Sequence, residues 1–202
     1  MKSLIIIDFQ YDFCESNGSL YVKGAEEAKK GIIKYMEKNN KSINQIIYTC
    51  DWHLDKDKSF KKNGGTWPDH CVQNTKGAKI DEELYNELKK YKIDIQIVNK
   101  GTVYNHEEYG AFENIKYEDE NNKTDIKNCF FSNYELSSGA RIINNNVIVC
   151  GIAGDYCVKE SIKNLLKHWK FNVEVLVSGV ASIDNGDTLK NFMKENNLSL
   201  AE

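Results

Sequence analysis

The chain carries six cysteines, at positions 14, 50, 71, 129, 150 and 157, and two of them fall in one informative stretch, VIVCGIAGDYCVKESI (147–162). Cys150 sits inside the apolar run and reads as a core thiol, the usual place for a small buried cysteine. Cys157 stands where a strand hands over to a helix. A helix N-terminus favours the thiolate, which is the nucleophilic form. Two other strand ends carry complementary groups: Asp8, after Leu4–Ile7, and Lys100, in VNKG. A carboxylate that takes the thiol proton and an ammonium that holds both anions complete the parts needed for nucleophilic catalysis.

A second group lies in CDWHLDKDKSFKKNGGTWPDHC (50–71). Asp51 and His53 are two residues apart after a strand, and His70 closes the loop. One carboxylate and two imidazoles suit a divalent metal and leave positions open for water or substrate. The chain has only 4 histidines, and two of them fall in this segment. His106 and His168 have no comparable neighbours.

These residues need a scaffold that brings strand ends together. Leu4–Ile7 reads as a buried strand, as do 44–50 (NQIIYTC), Ile93–Val98, 147–151 (VIVCG) and 173–179 (VEVLVSG). Between them, apolar residues recur at helical spacing: Ala25, Ala28, Ile32 and Met36; Ile80, Leu84 and Leu88; Val158, Ile162 and Leu165; Leu189, Phe192 and Met193. Alternating buried strands and amphipathic helices predict a parallel sheet covered on both faces, with ligands beyond the carboxyl ends of the strands. The polar stretch YEDENNKTDIKNC reads as a loop, and no repeat or Pro/Ser-rich linker divides the chain, so one domain over 1–202 is expected.

Hydrophobic residues make up 41% of the chain, enough to fill a core, and the net charge of −3 comes with interleaved lysines and acids. Nucleic-acid binding would need clustered positive charge, so it is not expected. The apolar run at the start meets Asp8 too early for a secretory leader, and no run is long enough to span a bilayer. The cysteines make no C-x-x-C pair, so reduced thiols and a cytoplasmic location are the expectation.

Four ordered motifs, LIIIDFQYDF, DWH…WPDHC, VNKG and VIVCGIAGDYCV, resemble the isochorismatase-like cysteine hydrolases, and the metal-bearing segment resembles their nicotinamidase/pyrazinamidase branch. The resemblance runs over essentially the whole chain. It implies a three-layer α/β/α fold with a mostly parallel sheet of about six strands and a triad of Asp8, Lys100 and Cys157. It also implies a cis peptide at Ile152–Ala153, and an oxyanion hole from the backbone N–H groups of Ala153 and Cys157. It carries the metal ligands onto Asp51, His53 and His70, with Asp57 the closest match to a variable fourth position. The metal is expected to be zinc, with iron and manganese as alternatives.

Phe13, Trp67 and Tyr109 match aromatic positions lining the family's pocket, where a flat heteroaromatic ring would stack. The implied reaction is hydrolysis of nicotinamide, or of pyrazinamide, to the acid and ammonia through a thioester, in NAD salvage. The alternatives are a related amidase acting on another small amide and a non-catalytic binding protein of the same fold. Three positions depart from the family pattern: Leu54 replaces proline, Gly154 replaces threonine or serine, and Ser178 replaces an acid. The stretch 114–128 is expected to be a lid or an oligomer contact, and a homo-oligomer stays open.

Overall fold

The computed structural model describes residues 1–103, 107–112, 142–168 and 171–202. The expected lid or oligomer contact at 114–128, together with His106, lies outside the described residues.

Six parallel strands form one sheet: β1 (Lys2–Ile7), β2 (Ile43–Asp51), β3 (Ile95–Lys100), β4 (Asn146–Ile152), β5 (Asn172–Ala181) and β6 (Ser199–Leu200), in the order β3-β2-β1-β4-β5-β6. Side chains alternate across it, as the two-residue period of a strand requires. Leu4 and Ile6 join one buried cluster while Ile5 and Ile7 join the other. Among the described residues the helices are α1 (Tyr11–Cys14), α2 (Ala25–Asn39), α3 (Glu82–Lys89), α4 (Lys159–His168) and α5 (Asp187–Glu195). Ile32 and Met36 of α2 and Leu84 and Leu88 of α3 cover the first face. Ile162 and Leu165 of α4 and Leu189 and Met193 of α5 cover the second. Each such side chain, fully buried, contributes about 1.5–3 kcal/mol. This is a three-layer α/β/α architecture. Among the described residues no helix is long and apolar enough to cross a membrane.

The chain builds outward from β1 to β3, then returns to lay β4, β5 and β6 on the other side of β1. The crevice of an open parallel sheet opens where this direction reverses, beyond the strands' carboxyl ends. Here that point lies between β1 and β4, immediately before Asp8 and Cys157.

The differences from the sequence-based expectation are local. β3 starts and ends two residues later than expected, because its pairing with β2 runs from Ile46↔Ile95 to Asp51↔Lys100. The ladder therefore continues past the apolar residues and carries a charged side chain at the end of each strand. α1 has four residues and β6 two, both too short for a periodic pattern. The helix expected from Val158 begins with a π turn, Gly154–Val158, ahead of α4. Tyr156 N and Val158 N both donate to Ala153 O in that turn.

Candidate active site

Asp8 leaves β1 in the left-handed region, at φ 47°. Its own N–H lies against Thr49 on β2, 3.1 Å from the carbonyl oxygen and 3.2 Å from Oγ1. The Thr49 hydroxyl donates to Asp8 Oδ1 at 2.7 Å. Lys100 Nζ lies 2.8 Å from Asp8 Oδ2, 2.5 Å from Asp51 Oδ1 and 3.5 Å from Cys157 Sγ, and it donates to the Glu108 carbonyl at 3.2 Å. Acceptor atoms of Asp8 and Asp51 and the Cys157 sulfur all lie within 4.8 Å of one another. Asp8 Oδ2 is the oxygen that faces the ammonium.

The charges act on one another strongly because all are buried. Burial raises the Asp8 carboxyl, Lys100 lowers it, Asp51 raises it again, and the result is about 6. Burial opposes the charge on Lys100, yet Asp51 and Asp8 hold its pKa well above the ordinary lysine value. Burial also pushes the Cys157 thiol well above its usual range. Lys100 pulls it down while Asp8 and Asp51 push it up. Burial therefore opposes the thiolate that a helix N-terminus favours, and Lys100 is the group that offsets burial.

The Ile152–Ala153 peptide is cis, and Ala153, Tyr156 and Cys157 line the same pocket. Gly151 makes the approach possible. At φ +118° it lies so close to β1 that a Cβ would sit 2.1 Å from the Ile7 carbonyl oxygen. Gly154 is similarly confined, and a Cβ there would meet Ser182 Oγ at 2.1 Å.

The second group adjoins the first through Asp51. Gln10, fully buried, clamps the end of β2: its Nε2 donates to Asp51 O at 2.8 Å and its Oε1 accepts from Asp51 N at 2.6 Å. A parallel bridge pairs His53 with Val72 and so brings the His70 segment alongside. Asp51 Oδ2 lies 3.5 Å from His53 Nε2 and 3.9 Å from His70 Nε2. The other ring nitrogens are engaged elsewhere. His53 Nδ1 is 3.0 Å from Asp57 Oδ2, and His70 Nδ1 is 2.8 Å from the Pro68 carbonyl oxygen.

Asp57 thus lies behind His53, outside the convergent set, instead of at the fourth position suggested by the resemblance. Burial opposes a charge on His53, but Asp51 and Asp57 push it up to about 9. Burial lowers His70, with Asp51 opposing. The surroundings of His53 call for positive charge, and two imidazole nitrogens with a carboxylate form a donor set that fits a divalent cation.

Phe13, Trp67 and Tyr109 all line this pocket, which spans about 440 Å³ counting its open mouth. Trp67 Nε1 donates to Tyr109 Oη at 2.9 Å, and Tyr156 meets both rings, edge-on to Trp67 at 5.1 Å and tilted to Tyr109 at 5.5 Å. Phe13 faces His70 at 5.5 Å. The sequence reading missed Tyr156, Thr49 and Gln10. Thr49, a lone hydroxyl in an apolar strand, and Gln10, two residues after Asp8, were the only hints.

The Isochorismatase domain family matches residues 2–199 of the chain. The nicotinamidase of Saccharomyces cerevisiae is 30% identical over 183 residues, covering 79% of this chain and 78% of that protein. The crystal structure of an L. infantum protein in complex with nicotinate superposes with a TM-score of 0.74 at 29% identity, covering 100% of this chain and 92% of that one. The pyrazinamidase of Pyrococcus horikoshii, solved in complex with zinc, gives a TM-score of 0.72 at 28% identity, covering 100% and 98%.

Proposed function

The chain belongs to the isochorismatase family, and from that premise we propose that it is a nicotinamidase, an amidohydrolase that converts nicotinamide and water to nicotinate and ammonia. The observation that carries this reading is the adjacency of two centres. The Cys157 thiol lines a small aromatic pocket with Asp8 and Lys100 buried behind it, and Asp51 connects them to two convergent imidazoles. The names of the yeast, L. infantum and P. horikoshii relatives support it.

In this reading Asp8 takes the Cys157 proton as the sulfur attacks the carboxamide carbon, and Lys100 steadies both anions. The N–H groups of Ala153 and Cys157 hold the oxyanion. Asp8 returns the proton to the departing ammonia, then draws one from the water that hydrolyses the thioester. Asp51, His53 and His70 would hold a divalent ion, zinc by analogy with the P. horikoshii protein. Its chemistry there is that of a Lewis acid for the pyridine nitrogen. Phe13, Trp67 and Tyr109 bracket the ring. Pyrazinamide, which keeps a nitrogen at the same place, belongs to the same substrate class. The reading extends to one domain over 1–202 acting in NAD salvage in the cytoplasm.

Ammonia release from nicotinamide and benzamide, with metal content measured on the same sample, tests this. Nicotinamide should be turned over and benzamide, lacking the ring nitrogen, strongly disfavoured. Equal rates would remove the orienting role of the metal site. No release from either would defeat the assignment.

A further inference from the structure

We propose that Asp57 is a positioning residue for His53: its carboxylate fixes the ring with hydrogen on Nδ1, so that Nε2 presents its lone pair toward Asp51 and His70. The proposal rests on reading Asp51, His53 and His70 as a metal site and assigns Asp57 a place outside the ligand shell.

Asp57 is 2% exposed, and both of its oxygens are engaged. Oδ2 lies 3.0 Å from His53 Nδ1, while Oδ1 accepts from Ser59 N at 2.9 Å. An ionised carboxylate only accepts, so the ring nitrogen facing it must carry the hydrogen. The other nitrogen of a metal-bound imidazole is then the one with a free pair.

The loop that carries Asp57 is tied down. Asp57 N donates to Leu54 O at 2.9 Å, and Asn63 Nδ2 donates to Asp57 O at 2.8 Å. The imidazole is also packed in place. Phe60 meets it edge-on at 5.4 Å, and Gly101, at φ +64°, passes so close that a Cβ would lie 2.7 Å from His53 Cε1. His70 has the weaker counterpart, the Pro68 carbonyl at 2.8 Å. A carboxylate polarises an imidazole more than a neutral carbonyl does, so the two histidines are unequal ligands and His53 is the stronger.

Asp57→Asn tests the idea because the two neighbours of the carboxylate, Ser59 N–H and His53 Nδ1–H, are both donors. An amide offers one oxygen and one NH2, so one of these donors loses its acceptor. Zn(II) affinity, measured by competition with a chelator, should fall about 10–100-fold in Asp57→Asn. The visible bands of the Co(II)-loaded variant should keep the parent's positions and intensities, since no ligand is lost.

A measurement on the parent protein needs no variant. With 15N-histidine labelling and Zn(II) bound, His53 should show a downfield proton coupled to Nδ1. Unchanged Zn(II) affinity in Asp57→Asn would overturn the proposal, as would Co(II) bands altered as by a lost ligand, or a proton on Nε2 of His53. A parent protein that binds neither Zn(II) nor Co(II) would defeat the metal-site reading itself and take this proposal with it, an outcome distinct from the other three.

Discussion

A lysine, an aspartate and a cysteine meet at two places in this molecule. Beside the pocket they are Lys100, Asp8 and Cys157. Where α1, α2 and α3 join, they are Lys29, Asp81 and Cys14. Both lysines are buried, and burial in each case opposes a charge that neighbouring acids more than restore. Both thiols are pushed up by burial and by an adjacent aspartate.

The difference lies in what each cluster faces. Asp81 Oδ1 caps α3 by accepting from Leu84 N at 2.7 Å, and its Oδ2 takes Lys29 at 3.2 Å and the Cys14 thiol at 3.5 Å. Asp8 has one oxygen bonded to Thr49 and the other 2.8 Å from Lys100 Nζ, with a carboxylate oxygen within 4.8 Å of the Cys157 sulfur. Lys29 also reaches Glu83 at 2.8 Å and Glu26 at 3.2 Å, both well exposed. Among the described residues Lys100 has only buried partners, and Cys157 opens on a pocket that Cys14 does not line. The same three residue types close a helix junction at one place and, at the other, set a thiol against a cavity, where we propose that it reacts.

The sharpest way to break this comparison is to remove each thiol. Cys157→Ala should lower nicotinamide turnover by about 10³-fold or more, the scale for losing a nucleophile. Cys14→Ala should leave turnover within about twofold and lower stability by about 1 kcal/mol for one lost weak hydrogen bond. Steady-state kinetics and urea unfolding of the two variants decide it. A Cys14→Ala protein as inactive as Cys157→Ala would erase the distinction.

Much of this was legible before the structure, and the reason is physical. A buried parallel strand is an apolar run, and LIII, QIIYTC and VIVCG each stop shortly before a residue proposed for the site. The contrast between the two clusters was not legible, because it depends on which thiol meets a cavity, and no residue pattern encodes that. Asp57 was seen only as a candidate ligand. Its spacing from His53 suits either role, and only the ring nitrogen it faces decides between them. Trp67 and Tyr109 meet across 42 positions of sequence, a contact that only the folded chain defines.

The lysines give a smaller but still separable effect. Lys100→Met leaves Asp8 and Asp51 buried together without their cation, so the metal-free protein should lose about 3–5 kcal/mol. Turnover should be lost as well. Lys29→Met leaves Asp81 its helix cap and returns two exposed glutamates to water, so about 1–2 kcal/mol is expected, with turnover retained. Urea midpoints at constant m-value, beside ammonia release, test the pair. Equal losses of stability would mean that the pocket lysine is no more enclosed than the clasp lysine.

The smallest expected effect separates the two thiols by the pH dependence of their alkylation. Asp8 is raised to about 6 by burial, against Lys100 and with Asp51. Its ionised form, the one that accepts the Cys157 proton, is therefore present above that pH and lost as pH falls through it. Iodoacetamide should modify Cys157 of the metal-free protein at a rate that levels off above neutrality. The rate should fall about tenfold between pH 7 and pH 5, as a single group near 6 requires. A cation on Asp51 offsets one of the charges that raise Asp8, so loading the metal should move this limb to lower pH. Cys14 has an aspartate with both oxygens committed. Its thiol ionises only as hydroxide rises, and its labelling should climb about tenfold per pH unit from 6 to 9 with no plateau. Peptide mapping after timed labelling reports both sites in one sample. Parallel profiles for Cys157 and Cys14 would show that Asp8 does not receive the thiol proton.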